Sequence, residues 1–164
     1  MKKIFLIFTS SILLLFSLGC DSSNKPARGP EDEIFVVADS VEYEELRTAL
    51  ETTFEKEIFT PQPEKLFILK RISVKDISTY KNRKNLVIVA PLRSGSNTSK
   101  FISAAIDTAL ETQLKSDPDL VVKKYDLWAT GQLVTVLSAA SMQELEFKIL
   151  KHKDNLLYSY QKKS

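Results

Sequence analysis

The chain has 164 residues, 43% of them hydrophobic and 27% charged, with 23 Lys and Arg against 21 Asp and Glu, one His and one Cys. That length suits a single domain with one core; one cysteine excludes an internal disulfide and one histidine excludes a multi-histidine metal site. The formal charge of +2 is carried by Lys2 and Lys3 at the extreme N-terminus, so the rest of the chain is balanced and gives no electrostatic argument for a nucleic-acid partner.

Lys2 and Lys3 are followed by an uncharged stretch from Ile4 to Leu18 and by small residues before Cys20, which is the order of an export signal. A membrane-spanning helix needs about 20 apolar residues. This run is shorter, is interrupted by Thr9, Ser10, Ser11 and Ser17, and has no basic flank behind it. The tetrapeptide Ser17-Leu18-Gly19-Cys20 resembles the lipobox of bacterial lipoproteins, in which a peptidase cuts before a cysteine whose sulfur carries a diacylglyceryl group. Leu18 and Gly19 fit that pattern, and Ser17 stands where leucine is the common choice.

An ordinary signal-peptidase site would leave Cys20 as a lone exposed thiol in an oxidising compartment, a reactive liability. The following "DSSNKPARGP" reads as a tether. The expected organisation is therefore a signal peptide over 1–19, a lipidated cysteine and flexible tether over 20–32, and a single α+β domain over 33–164. Several acyl chains, at about 0.8 kcal/mol per buried CH₂, hold a protein stably where one chain does not. The expected address is the cell envelope, with the domain outside the cytoplasm. Asp21 resembles a retention signal for the inner membrane in some Gram-negative bacteria, and the choice between inner and outer membrane stays open.

The domain opens with "EIFVVAD", a β-branched run read as a buried strand. Ser40 is the expected N-cap of a helix whose first turn carries Glu42, Glu44 and Glu45, with Tyr43, Leu46, Leu50 and Phe54 as its apolar face. "TPQPE", Thr60 to Glu64, reads as a stiff extended connector because prolines remove backbone donors. "KLFILKRIS" alternates as a strand with both faces partly apolar, expected inside the sheet or beneath a helix. "VKDISTYKNRK" is a polar connection with a helical turn around Ile77 to Tyr80, and "NLVIVAP" is a second continuous apolar strand.

"KFISAAIDTALETQLKSDP" carries Phe101, Ile102, Ala105, Ile106, Ala109, Leu110 and Leu114 at helical spacing. In "VVKKYDLWATGQLVTVLSA" Gly131 interrupts the alternation, which fits either one kinked strand or two short ones. Ser141 and Glu144 have capping-box spacing, and Met142, Leu145, Ile149, His152, Leu156 and Tyr160 form the stripe of a C-terminal helix. The order βαββαβ plus a helix matches a ferredoxin-like sandwich, an antiparallel sheet with helices on one face.

No constellation of residues selects a reaction. His152 lies on an apolar stripe and reads as a packed helix histidine. Glu31, Asp32 and Glu33 are adjacent in sequence and splay apart, so they read as a solvated tether end rather than a cation site. "RSGSN", Arg93, Ser94, Gly95, Ser96 and Asn97, is the one stretch with the makings of an anion cradle, since it contains a glycine and precedes a helix. It lacks both the Walker ending and spaced dinucleotide glycines. "YKNRK", Tyr80 to Lys84, reads as a solvated loop, and Trp128 as core or core edge with a ligand platform as the weaker reading. No catalytic residue, metal ligand or cofactor is expected.

"NKPARGPEDEIFVVAD", "TPQPEKLFILKRI", "KNLVIVAP" and "YDLWATGQLVTVLSA" followed by "ELEFKI" resemble the N-terminal half of an uncharacterised family of bacterial envelope lipoproteins. Typical members continue into a second region after the point where this chain stops at Ser164, and often carry Arg-Asn where this chain has Lys84 and Asn85. The resemblance implies an envelope address and a scaffold or partner-binding part; it brings no catalytic residues with it. The expectation is a membrane-anchored domain that binds another envelope component without catalysis, against the alternative of a carboxylate-dependent hydrolase or transferase. Its partners would be the membrane, through lipid on Cys20, and an envelope protein, with no nucleic acid.

Overall fold

The computed structural model describes residues 26–27, 29–30, 32–55, 57–58, 64–65, 67–92, 94–105, 112–114, 116–117 and 120–161. Along them run β1 (Glu33–Val37), α1 (Ser40–Phe54), the two-residue strands β2 (Glu57–Ile58) and β3 (Glu64–Lys65), and β4 (Ile68–Ile72). A 3-10 turn at Val74–Asp76 leads into α2 (Ile77–Tyr80), then β5 (Asn85–Val89), α3 (Asn97–Ala105), β6 (Val122–Tyr125), β7 (Leu133–Leu137), α4 (Met142–Lys151) and α5 (Lys153–Gln161).

The fold is mixed α+β around a five-stranded sheet of order β4-β1-β5-β7-β6. β4, β1, β5 and β7 run parallel, and only β6 is antiparallel to its neighbour. The strands at the centre are continuous apolar runs because they are covered on both faces. Ile34 and Val36 of β1 join Leu46, Leu50 and Phe54 of α1 and Leu145, Ile149, Leu156 and Tyr160 of α4 and α5 in one core. Phe35 and Val37 point the other way, into a second core with Ile102 of α3, Leu114 and the edges of Ile77 and Tyr80.

This corrects the ferredoxin-like expectation. The strands exist where the sequence places them, but the sheet is neither antiparallel nor covered on one face. A strand buried on one side alternates apolar and polar residues; β5 and β7 have no polar alternation and are buried at every position, which requires helices on both sides. Of the two places expected for β4, inside the sheet or beneath a helix, the first is not taken: β4 is an edge strand, with Leu69 packed against the core that α1 covers. Ile68 is exposed, and Lys70 and Arg71 face solvent, where charge discourages pairing with another chain. Lys70 pairs with Glu33 across the β1–β4 ladder.

The question left by Gly131 resolves as two strands. β6 and β7 pair antiparallel from Val122↔Val136 to Tyr125↔Leu133, joined by a turn over 126–132 in which Asp126 (φ 54°) and Gly131 (φ 81°) take left-handed conformations. The C-terminal helix is broken at His152, which caps α4. Ser141 caps that helix as expected, accepting from Glu144 N at 3.2 Å.

Within the segment expected to be tether, Pro26 and Ala27 are tied to the fold. Pro26 pairs with Thr130, and Ala27 is buried, its N–H donating to Thr130 O at 2.7 Å. Among the described residues no helix is long and apolar enough to cross a membrane. The expected signal, Cys20 and the connector prolines Pro61 and Pro63 lie outside the described residues.

Candidate functional site

In a parallel sheet the natural ligand position is outside the carboxyl ends of the strands, where successive connections leave in opposite directions. Here that point falls between β1 and β5, since β1 connects onward to β4 on one side while β5 lies on the other. α1 leaves β1 onto one face and α3 follows β5 onto the opposite face. Between their N-termini, Asp39 and Glu42 from one connection come within hydrogen-bond distance of Asn97 and Ser94 from the other. Two carboxylates therefore meet the stretch read as an anion cradle.

The contacts decide what that stretch does. Asn97 N donates to Asp39 Oδ2 at 2.7 Å, and Ser99 N donates to Ser96 Oγ at 3.0 Å. These satisfy amides of the first turn of α3 that a bound anion would otherwise use. Ser94 Oγ lies 2.8 Å from Glu42 Oε1 and 2.9 Å from Ser96 Oγ. With one proton to give, it donates to the carboxylate, the stronger acceptor. Gly95 takes φ 78° with open space around the missing Cβ, so glycine serves the turn there. The loop is a capping structure that uses the chain's own carboxylates in place of an anion.

This also corrects the cap of α1. Its first helical residue is Ser40, and the N-cap is Asp39, which makes no side-chain bond to its own helix because its carboxylate reaches across to α3. Asp39→Ala is expected to lower stability by about 1 kcal/mol, the usual cost of losing a cap, read as a lower urea midpoint at unchanged slope. Asp39→Asn keeps an acceptor oxygen and is expected to lose less. Equal losses for the two would assign the effect to charge at the helix end instead of the hydrogen bond.

Glu42 is the residue that sequence reasoning did not single out. It is 5% exposed, and its Oε2, like Thr98 Oγ1, is buried with no hydrogen-bond partner among the described residues. Unsatisfied buried oxygens are rare and cost stability. The signal available in the sequence was position: Glu42 precedes the core residue Leu46 by one turn and so shares its inward face.

The other candidates disperse. Trp128 is half-buried in the turn at the amino end of β7, at the opposite pole of the sheet from Ser94 to Asn97, with its backbone N donating to Gln132 Oε1. Arg93 lies outside the described residues. Of the acidic run, Asp32 is exposed and Glu33 is engaged by Lys70. In the "YKNRK" loop the Arg83 guanidinium stacks 5.1 Å from the Phe35 ring centre and 5.8 Å from that of Tyr80. Among the described residues no three His, Cys, Asp or Glu gather as a metal site.

Among the other buried side chains that carry a polar group are Lys148, which was not anticipated, and Tyr160, which lies on the stripe expected for the C-terminal helix. Lys148 of α4 is buried, and its Nζ donates to Ser138 O at 2.8 Å and Leu120 O at 3.2 Å. Tyr160 is buried with its hydroxyl 3.1 Å from Leu86 O and 2.8 Å from Thr135 Oγ1, and burial pushes its phenol well above the ordinary range. On β6, burial lowers the Lys123 ammonium from its usual value while Asn155 Oδ1 and Ser159 Oγ accept from it at 3.0 and 2.6 Å. All three bridge secondary-structure elements.

A mixed, mostly parallel sheet with helices on both faces, its switch-point polar groups turned to capping, defines an α+β domain but no chemistry. Over residues 27–164 the sequence matches the family described as "Domain of unknown function (DUF8532)", and the chain belongs to it. Membership of an uncharacterised family is therefore as expected. Comparison with curated proteins and with solved structures gives no match.

Proposed function

We propose that this is an envelope lipoprotein, held to a membrane through lipid on Cys20, whose domain binds another envelope component without catalysis. The observation that carries the non-catalytic part is the use made of the two carboxylates at the switch point. Asp39 caps α3 and Glu42 holds Ser94, so neither is presented as a free acid or base. The anchoring part rests on the lipobox-like Ser17-Leu18-Gly19-Cys20.

The alternative, an envelope hydrolase or transferase working through carboxylates, is favoured by one observation: Asp39 and Glu42 do converge, and Glu42 Oε2 is buried without a partner among the described residues.

Metabolic labelling with a fatty acid is expected to mark the wild-type chain and not Cys20→Ala; equal labelling of both would end the lipoprotein reading. In-cell crosslinking should recover the same envelope partner from wild type and from Asp39→Asn. Recovery of bulk envelope background alone would remove the binding reading.

A further inference from the structure

We infer that the amino-terminal pole of the parallel sheet is a membrane-docking face that lies on the anionic phospholipid surface to which Cys20 is anchored; this rests on the lipoprotein reading above. The first argument is length. The residues from Cys20 to Pro26 reach at most about 20 Å when fully extended, and Pro26 is not free to move away. It pairs with Thr130, Ala27 N donates to Thr130 O at 2.7 Å, and Gly29 (φ 109°) lies against Arg83, where a Cβ would sit 2.9 Å from Nη1. A lipid on Cys20 thus holds the bilayer close to this pole and not to the switch point at the other end of the sheet.

The second argument is chemistry. Around Thr130 the turn from β6 to β7 exposes Tyr125 and Leu127, 60% and 40% accessible, with Trp128 half-buried beside them. Gln132 Nε2 donates to Lys81 O and Arg83 O at 2.6 and 2.7 Å, which fixes the "YKNRK" loop to the same turn. The two segments carry the cationic residues Lys81, Arg83, Lys84 and Lys124 and one acidic residue, Asp126, whose carboxylate accepts from Gly131 N at 2.6 Å; exposed Asp32, directly ahead of β1, lies at the same pole.

Amphipathic aromatic and aliphatic side chains ringed by lysine are the composition that seats at a headgroup boundary, and cations near an anionic leaflet add attraction that dies within a Debye length. The tether, at most about 20 Å and so about twice the Debye length at physiological salt, lets the pole come within that range of the headgroups without fixing it there. The face has no use for a nucleic acid outside the cytoplasm, and a protein occupant is an outcome of the test.

Trp128 is the sole tryptophan and reports on this face directly. Full-length lipidated chain is reconstituted into phosphatidylethanolamine–phosphatidylglycerol vesicles with and without bromine-labelled acyl chains. Brominated chains are expected to quench Trp128 and its emission to shift to shorter wavelength. The Tyr125→Ser/Leu127→Ser variant should still float with the vesicles and keep its urea midpoint, yet lose the quenching, and all-phosphatidylcholine vesicles should weaken the quenching of wild type.

Wild-type chain that floats with emission identical in brominated and plain vesicles would overturn the docking face and leave the anchor standing. Chain that fails to float would overturn the anchor and the face together. Loss of a crosslinked protein partner in the Tyr125→Ser/Leu127→Ser variant, with no lipid quenching in wild type, would reassign the face to that protein.

Discussion

Gln132→Leu is expected to destabilise the domain by about 3 kcal/mol, an effect large for a single substitution that keeps side-chain volume. Gln132 is fully buried and satisfies three backbone groups at once: its Nε2 donates to Lys81 O and Arg83 O, and its Oε1 accepts from Trp128 N at 3.1 Å. Its own backbone closes the same turn, with Gln132 N donating to Ala129 O and Gln132 O accepting from Asp126 N. Leucine fills the space and leaves all three side-chain partners unpaired, at about 1–3 kcal/mol for each buried group that water cannot reach.

Gln132→Glu separates the acceptor from the donors. It preserves the bond from Trp128 N but sets carboxylate oxygens against two carbonyls, so the folded state favours the protonated carboxyl and raises its pKa. The stability lost is therefore recovered as pH falls through that raised value, and the gap from wild type should be smaller at pH 4 than at pH 7. Urea midpoints at the two pH values read both effects. A loss for Gln132→Leu well under about 1 kcal/mol would mean that solvent reaches the turn and replaces the amide.

This turn shows what could be read from the residues and what could not. Asp126, Trp128, Gly131 and Gln132 stand out in "YDLWATGQL", and a strand interrupted at Gly131 is visible. That Gln132 ties the turn to residues 81–83 is not, because the partner is another loop's backbone and leaves no mark on side-chain pattern. The same limit explains the sheet. β1, β5 and β7 are legible as runs of apolar residues, and α1 and α4 as stripes at helical spacing, since burial acts locally on residue choice. Pairing direction is set by which surfaces the helices must cover. The clue was present in the Leu86–Ala90 run and in Leu133–Leu137, where Thr135 is the one polar residue, since neither has an alternating polar face to give to water.

The candidate site divides in the same way. "RSGSN" was recognisable as a loop entering a helix, and its role as a cap was not, because Asp39 comes from the end of a distant strand. An anion cradle and a capped helix begin from the same local sequence. Only the element that arrives opposite decides between them, and here it brings a carboxylate.

Lys148 gives the second large expected effect and the clearest separation of structure from chemistry. Lysine is almost never fully buried unless its ammonium is provided for. Here Nζ donates to Ser138 O and Leu120 O while Ser138 Oγ donates to Ala90 O at 2.6 Å. The chain of contacts links the ends of β5 and β7, α4 and the entry to β6. Lys148→Met keeps the length of the stem and abandons the carbonyls, for a loss of about 2 kcal/mol. Lys148→Ala adds the missing packing and a cavity, for about 4 kcal/mol in all. If the residue serves the fold alone, both losses appear in the urea midpoint, and the methionine variant still recovers the crosslinked envelope partner when compared at equal abundance. A Lys148→Met chain as stable as wild type that no longer acts in the envelope would give the buried ammonium a chemical role and put the enzyme reading ahead of the binding one.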